Sequence, residues 1–123
     1  GLGKTYGVDL VLGETTSEML PDWPLIELDL VAVKGKSKAV RIHTLLPEAE
    51  PAAAIPGVET HTRLLDAYRT QDWAAATRLI EGAIAESARE LAAVYELYRH
   101  RIEEFMESPP PANWDGVYVA KEK

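Results

Sequence analysis

The chain has 123 residues, no cysteine and a formal net charge of −7. A nucleic-acid binder needs a basic face that neutralises phosphates, so this charge excludes nucleic acid as a partner. The lack of cysteine excludes a disulfide framework and thiolate metal sites. No apolar run approaches the roughly 20 residues that cross a membrane, so we expect no membrane contact from this segment.

The first stretch of the chain is predicted to contain a strand and a short helix. Residues 8–12 alternate as a strand does, and Gly13 ends the run. Residues 14–20 have the composition of a helix start, with a threonine as the N-cap. Pro21 and Pro24 close this helix because proline cannot continue it.

A hairpin is predicted to follow. Over residues 25–33 apolar side chains alternate with Glu27, Asp29 and Val31, which predicts a second strand. Residues 34–38 read KGKSK, a turn, and residues 39–46 form a third strand. The strand region therefore ends at residue 46.

A proline- and alanine-rich linker over residues 47–57 separates the strands from a helical region over residues 58–107. There the apolar period changes to that of helices. Three apolar stripes predict three helices: Leu64, Leu65 and Tyr68; Trp73, Ala76, Leu79, Ile80, Ala83 and Ile84; Leu91, Val94, Tyr95, Tyr98, Ile102 and Phe105. The first two, joined by a turn around Asp72, resemble one tetratricopeptide-type repeat, which must pack on a further element to bury its face.

Three consecutive prolines at residues 109–111 end the third helix. The tail, residues 108–123, is predicted to be extended and to dock back on the fold with Trp114 as its anchor.

Three stretches carry more specific motifs. They read YGVDLVLGETT at residues 6–16, ELDLVAVKGKS at residues 27–37 followed by VRI at 40–42, and PPPANWDGV at residues 109–117. In this order they resemble three parts of bacterial class III adenylate and guanylate cyclases: the strand and short helix after the catalytic loop, the terminal hairpin, and the ending of the chain. The sequence departs from the family pattern at Gly13 (usually Ser), at Ala39 (usually Pro) and at His43-Thr44 (usually an aromatic-acid pair).

The resemblance implies an α+β fold in four segments. Residues 1–46 would be the terminal strands of a ferredoxin-like cyclase domain, and residues 47–57 a linker. Residues 58–107 would be a three-helix, tetratricopeptide-like extension, and residues 108–123 an extended tail. The family is cytoplasmic in its catalytic part, with a membrane-bound sensor at the other end of many members, so we expect a cytoplasmic location for this segment.

The resemblance also implies a chemistry. Family members convert ATP to cyclic AMP and pyrophosphate with two Mg or Mn ions. By motif position Lys34 is the cation that contacts the phosphates, in a site shared between two protomers, and Lys36 is a second, weaker substrate contact. A homodimer is therefore the expected assembly. The metal-binding aspartates and the transition-state Asn and Arg of the family precede position 6, so we expect this fragment alone to hold no cofactor and to be inactive.

The residues themselves also allow other interpretations of the lysine-rich turn and of the helical region. Lysines are common at exposed turns, so residues 34–38 also fit a solvated turn. This interpretation is favoured for Lys38 and, over its weak substrate contact, for Lys36. A second function, a helical protein-interaction or dimerisation module of a signalling protein, fits residues 58–107. Whether the chain is part of an active enzyme is therefore undecided by the sequence.

The histidines give no metal-site signal. His43, His61 and His100 lie in three different elements, and no pair has the i, i+4 spacing of a helical metal site. We expect surface or hairpin positions for all three. Tyr68 and Trp73 are expected in the core of the helical pair.

Overall fold

The computed structural model describes residues 2–8, 10–19, 23–33, 38–46, 57–87 and 89–120. The chain divides into two compact units: Gly1–Ile55 with Val117–Lys123, and Pro56–Gly116. Over the described ranges there are three strands and five α-helices, which confirms the predicted α+β class at this level. None of the described helices combines the length and the apolar character that crossing a membrane requires.

The first unit is built on a three-stranded sheet. Its elements are the helices α1 (Leu2–Tyr6) and α2 (Glu14–Glu18) and the strands β1 (Leu25–Val33), β2 (Val40–Leu45) and β3 (Tyr118–Ala120). The strand order is β2-β1-β3, with β1 antiparallel to β2 and parallel to β3. The predicted hairpin strands are thus confirmed, and the tail returns to the sheet as its third strand.

Two details of the sequence prediction before β1 are wrong. Residues 8 and 10–12, the described part of the first predicted strand, do not form a strand, and among them only Leu12 pairs, in an isolated antiparallel bridge with His43. The helix α2 begins after Gly13 rather than after a threonine, so its N-cap residue has no side chain that could accept an amide of the first turn. The carbonyl oxygen of Gly13 accepts the amide of Ser17 at 3.0 Å, which places both threonines inside the helix.

A β-bulge interrupts the pairing of β1 with β2. Glu27 lies opposite His43, but Asp29 lies opposite Ile42, so Leu28 is an extra residue on β1. Directly opposite residues share a face of the sheet. Ile26 faces Thr44 and Asp29 faces Ile42, and all four of these residues are buried. The bulge therefore puts Asp29 on the buried face, which the simple alternation of the sequence did not predict.

The second unit consists of three helices. They are α3 (Val58–Arg69), α4 (Trp73–Glu86) and α5 (Ala92–Glu107), the last preceded by a single 3-10 turn at Arg89–Leu91. The predicted stripes supply the core, which comprises Leu64, Leu65, Tyr68, Ala76, Ile80, Ala83, Leu91, Val94, Tyr95, Tyr98 and Ile102. Three other stripe residues, Trp73, Leu79 and Phe105, are half-buried, and Ile84 is exposed. Tyr68 is therefore in the core as predicted, whereas Trp73 lies at its edge.

The turn between α3 and α4 follows from three residues. Thr70 ends α3, and Gln71 adopts the left-handed conformation with φ 63°. Asp72 is the N-cap of α4, and its carboxylate accepts the amide of Ala75 at 3.2 Å. An aspartate at this position satisfies one of the otherwise unpaired amides of the first turn. The short turn places α3 and α4 side by side, and α5 packs against α4.

The start of the tail packs on the helical unit through Trp114. Its ring centroid lies 5.3 Å from that of Tyr68 and 5.2 Å from that of Phe105. The side-chain amide of Gln71 donates to the carbonyl oxygen of Pro111 at 2.8 Å. The predicted role of Trp114 as the anchor of this segment is confirmed.

Candidate functional site

The candidate phosphate-binding residues Lys34 and Lys36 lie outside the described residues. The strands that flank them are described. β1 ends at Val33 and β2 begins at Val40, and the last residue pair of the ladder is Val31 with Val40. The candidate site therefore has to be examined through the elements that hold this hairpin.

A buried carboxylate ties α1 to the hairpin. The Tyr6 hydroxyl donates to Oδ2 of Asp29 at 2.5 Å, and both residues are 0% exposed. The other oxygen, Oδ1, accepts the backbone amide of Leu30 at 2.8 Å. Hydrogen bonds to a carboxylate are shorter and stronger than bonds between neutral groups. This contact therefore fixes the bulged region of β1 against α1.

An ion pair lies on the more exposed face of the same hairpin. Nη1 of Arg41 is 3.0 Å from Oε2 of Glu27 on the neighbouring strand. The backbone amide of Arg41 donates to Oε1 of Glu14 at 3.1 Å, which connects α2 to β2. Exposed ion pairs contribute at most about 1 kcal/mol, so this cluster orients side chains more than it stabilises the fold.

His43 is a half-buried titratable residue of β2. Its Nδ1 lies 3.0 Å from Oγ of Ser17, which in turn donates to the carbonyl oxygen of Gly13 at 2.9 Å. A hydroxyl has one hydrogen, so when Ser17 donates it to Gly13, Nδ1 of His43 donates to Oγ of Ser17 and Nε2 is the basic nitrogen. Burial lowers the pKa of His43, and Arg41 lowers it further, while Glu27 and Glu14 raise it. The neutral ring is thus favoured here.

The described residues hold no metal site. No group of three or more His, Cys, Asp or Glu side chains among them is placed to bind an ion. The acidic residues near the hairpin, Glu14, Glu27 and Asp29, are each engaged by a hydrogen bond or an ion pair.

The histidine prediction is wrong for His61. This residue is 1% exposed, and its Nδ1 lies 2.8 Å from the hydroxyl of Tyr95. The same hydroxyl is 3.2 Å from Oγ of Ser87. Burial raises the pKa of Tyr95, and the bond to Ser87 opposes that rise. His61 is buried because α5 covers this face of α3, which helix periodicity alone does not reveal. His100 is exposed, as expected.

A shallow groove lies on the helical unit between α4 and α5. Its volume is about 380 Å³, and its lining residues are Thr77, Ile80, Arg99, Ile102, Glu103 and Met106. Met106 is 59% exposed and Ile84, on α4, is 38% exposed. Arg99 is held by ion pairs with Glu81 and Glu96. The groove is apolar at its base and charged at its rim.

Sequence reasoning missed three contributors to these sites. The position of Asp29 in an apolar strand could have pointed to a hydrogen-bond partner, since an acid there is either exposed or specifically bonded. Tyr6 gave none, because its partner lies in another element. The Ser17–His43 bond likewise depends on how α2 packs against β2.

Comparison with known proteins adds no relative. A scan against protein-family models found no match to this chain. A search of curated proteins found no similar sequence, and a search of solved structures found no similar fold.

Proposed function

We propose that this chain is the C-terminal part of a class III nucleotidyl cyclase that converts ATP to cyclic AMP and pyrophosphate. One observation carries the proposal: the first two family-like motifs, residues 6–16 and 27–42, are neighbours in one unit. The backbone amide of Arg41 donates to Oε1 of Glu14 at 3.1 Å, and the Tyr6 hydroxyl donates to Asp29. In the proposed parent domain, these two motifs would likewise pack against each other.

Lys34 has the central role in this proposal. The ribose 3′-hydroxyl gives up its proton to water as its oxygen attacks the α-phosphorus. The bond between the α-phosphorus and the oxygen that bridges it to the β-phosphorus breaks, and pyrophosphate leaves with the electron pair and the negative charge. A fixed ammonium beside that charge lowers the barrier. A charge-assisted contact of this kind contributes about 1.5–3 kcal/mol, or roughly ten- to a hundredfold in rate. Lys36 is a second contact to the same phosphates.

The remaining catalytic groups belong to the rest of the proposed parent enzyme. The described residues hold no metal ligand set, so the two Mg or Mn ions would be bound by other parts of that enzyme. The ions would supply Lewis-acid activation of the nucleophile and leaving group. We propose cytoplasmic catalysis by a homodimer, in which the hairpin of one protomer serves the site of the other. Residues 58–107 would form the tetratricopeptide-like extension.

The test is cyclic AMP formation from ATP and Mn by the full-length protein that contains this chain. Lys34→Ala is the test variant. Its matched control is Lys38→Ala, because Lys38 is an exposed lysine directly after residues 34–37. We expect Lys34→Ala to lower kcat about ten- to a hundredfold and Lys38→Ala to leave it within about twofold. Equal kcat values for the two variants would mean that residues 34–38 are a solvated turn without a phosphate contact. No turnover by the folded wild-type protein would overturn the cyclase proposal.

A second candidate function, dimerisation through the helical unit, is favoured by the groove between α4 and α5. Met106 is 59% exposed beside Ile80 and Ile102, the buried apolar residues of the groove base. We propose a second copy of this chain as the occupant. Light scattering of the chain should give a dimer mass that Met106→Glu reduces and Glu107→Gln leaves unchanged. A monomer mass for the wild-type chain at high concentration would contradict this proposal.

A further inference from the structure

The helical unit lies, along the chain, between two strands of the same sheet. β2 ends at Leu45 and β3 begins at Tyr118, so about 70 residues separate these two elements of the first unit. β3 is three residues long, and among the described strands it pairs with β1 alone. The entropy lost on closing a loop grows with the length of the loop, and so short a strand has few hydrogen bonds to offset that loss. Another part of the chain therefore has to hold β3 beside β1.

The segment directly before β3 is fixed on the helical unit at three points. The carbonyl oxygen of Pro111 accepts the side-chain amide of Gln71 at 2.8 Å and the backbone amide of Trp114 at 2.9 Å. The indole of Trp114 packs against rings of α3 and α5. Gly116 is buried, and a Cβ there would lie 2.5 Å from Cγ of Arg69. This segment is thus docked on the helices up to the residue where the chain enters the first unit.

A single residue, Val117, joins the docked segment to β3. Tyr118, which follows it, pairs with Val31 near the end of β1. One residue contributes only two free backbone torsion angles, so Gly116 and Tyr118 have little freedom to move independently of each other. Docking of the segment before Val117 therefore raises the effective concentration of β3 beside β1, and pairing of β3 does the same for the docked segment.

We propose that residues 111–120 form a strap that couples the helical unit to the sheet. Pairing of β3 with β1 and docking of Trp114 on the helices stabilise each other, so release of either end loosens the other. The strap gives the helical unit control over the edge of β1 at Val31–Val33, because β3 covers that edge. The coupling goes beyond the cyclase and dimerisation proposals and depends on neither of them.

The coupling from the helices to the sheet is tested by amide hydrogen exchange in the 123-residue chain. In Trp114→Ala we expect the slowest-exchanging amide of Tyr118–Ala120 to exchange at least about tenfold faster than in the wild type, because a released segment no longer holds β3 in place. The cross-strand NOEs between Val31 and Tyr118 should weaken in the same variant. The amides of the β1–β2 ladder should keep their exchange rates within about twofold, since that hairpin pairs without β3.

His61→Leu is the matched control for a loss of stability within the helical unit. It removes the buried bond between His61 and Tyr95, two residues outside the strap. We expect the exchange rates of β3 to stay within about twofold of the wild type in this control, because local release of the strap does not require α5 to leave α3. Equal acceleration in His61→Leu and Trp114→Ala would overturn the strap, since β3 would then respond to the stability of the helical unit as a whole.

The coupling from the sheet to the helices is tested by removing the pairing of β3. The test variant carries Tyr118→Pro and Val119→Pro. Successive amides of a strand point to opposite sides, so one of these two faces β1, and proline has no amide hydrogen. The control carries Tyr118→Ala and Val119→Ala, which remove the same side chains and keep both amides.

The readout of this second test is the backbone amide of Trp114, which donates to Pro111. We expect its exchange to be at least about tenfold faster in the proline variant and within about twofold of the wild type in the alanine control, because a coupling between two sites acts in both directions. An unchanged exchange rate of Trp114 in the proline variant would overturn the proposal. If Trp114→Ala does not fold, the proline variant decides alone, since Tyr118 and Val119 lie outside the helical unit.

Discussion

Nδ1 of His61, on α3, lies 2.8 Å from the hydroxyl of Tyr95, on α5, and both side chains are buried. Oγ of Ser87, at the end of α4, lies 3.2 Å from the same hydroxyl. One phenol thus connects all three helices of the second unit. Buried polar groups of this kind are costly when a partner is removed, so the cluster makes the packing of α5 on α3 specific.

The replacement His61→Leu is expected to destabilise the chain by about 1–3 kcal/mol, because the Tyr95 hydroxyl loses a buried partner. The matched control is His100→Leu, at an exposed position of α5 where a weak ion pair with Glu104 is lost. We expect the control to change the free energy of unfolding by no more than about 0.5 kcal/mol. Urea denaturation measures both values. Equal effects would show that the buried contact contributes nothing specific.

The helical unit also contains a glycine that no other residue can replace without strain. Gly116 has φ +82°, and a Cβ there would lie 2.5 Å from Cγ and 2.8 Å from Cβ of Arg69. Both the left-handed backbone and the close approach penalise a side chain. We expect Gly116→Ala to lower the free energy of unfolding by about 1–3 kcal/mol.

Gly13→Ala is the control for this prediction. A Cβ at Gly13 would meet nothing within 4 Å, and its φ of −73° suits any residue. Because alanine restricts the unfolded chain, this variant should be neutral or stabilising by up to about 1 kcal/mol. Thermal denaturation of both variants gives the comparison, and a Gly116→Ala variant as stable as Gly13→Ala would contradict the tight passage over Arg69.

The sequence predicted the elements of this fold better than the environment of particular side chains. The hairpin strands and the three helices follow from periods of two and 3.6 residues, which are local properties. Asp29 shows the limit of that approach. Its place in the alternation gives no indication that it is buried, but a bulge and a tyrosine from α1 place it in the core. Neither the bulge nor the partner can be read from the strand alone.

The candidate site was predicted through a resemblance to a family, and its two lysines lie outside the described residues. The supporting residues, Tyr6, Ser17 and His43, became visible only when the elements were placed together. Each of them forms a contact across more than 20 residues of sequence, where no periodicity operates. The same holds for His61, which the sequence assigned to the surface.

The pH dependence of stability should contain a contribution from His43. Burial, with Arg41, lowers its pKa below 6.5 in the folded chain. The unfolded chain therefore binds a proton first as the pH falls, so the stability due to the neutral ring is complete above about pH 7.5 and is lost as the pH falls through 6.5 towards the folded pKa. His43→Gln should flatten this part of the profile. Denaturation between about pH 8 and pH 5 measures it, and a directly titrated pKa above 6.5 would contradict the sign.

Arg41→Gln offers a second check on the same group. Arg41 lowers the pKa of His43, while Glu27 and Glu14 raise it. Removing the arginine should therefore move the pKa of His43 upwards, and the change should be small because Arg41 is exposed and its interaction is screened by water. NMR titration of the His43 ring protons reports the shift. A downward shift would mean that the loss of the Arg41–Glu27 pair buries the ring more deeply.

The docking of the tail on the helical unit should depend on Trp114. Its indole packs against Tyr68 and Phe105 and lies 6.3 Å from Trp73, so its removal empties the centre of an aromatic cluster. For a half-buried tryptophan we expect Trp114→Ala to lower the free energy of unfolding by about 2–4 kcal/mol.

Trp23→Ala is the matched control, since Trp23 is 48% exposed, and it should lower the free energy of unfolding by less than about 1 kcal/mol. Guanidinium denaturation followed by circular dichroism compares the two. If both variants lose the same stability, the aromatic cluster does not anchor the tail, and residues 109–116 would be held by the Gln71–Pro111 bond and the passage of Gly116 over Arg69 instead.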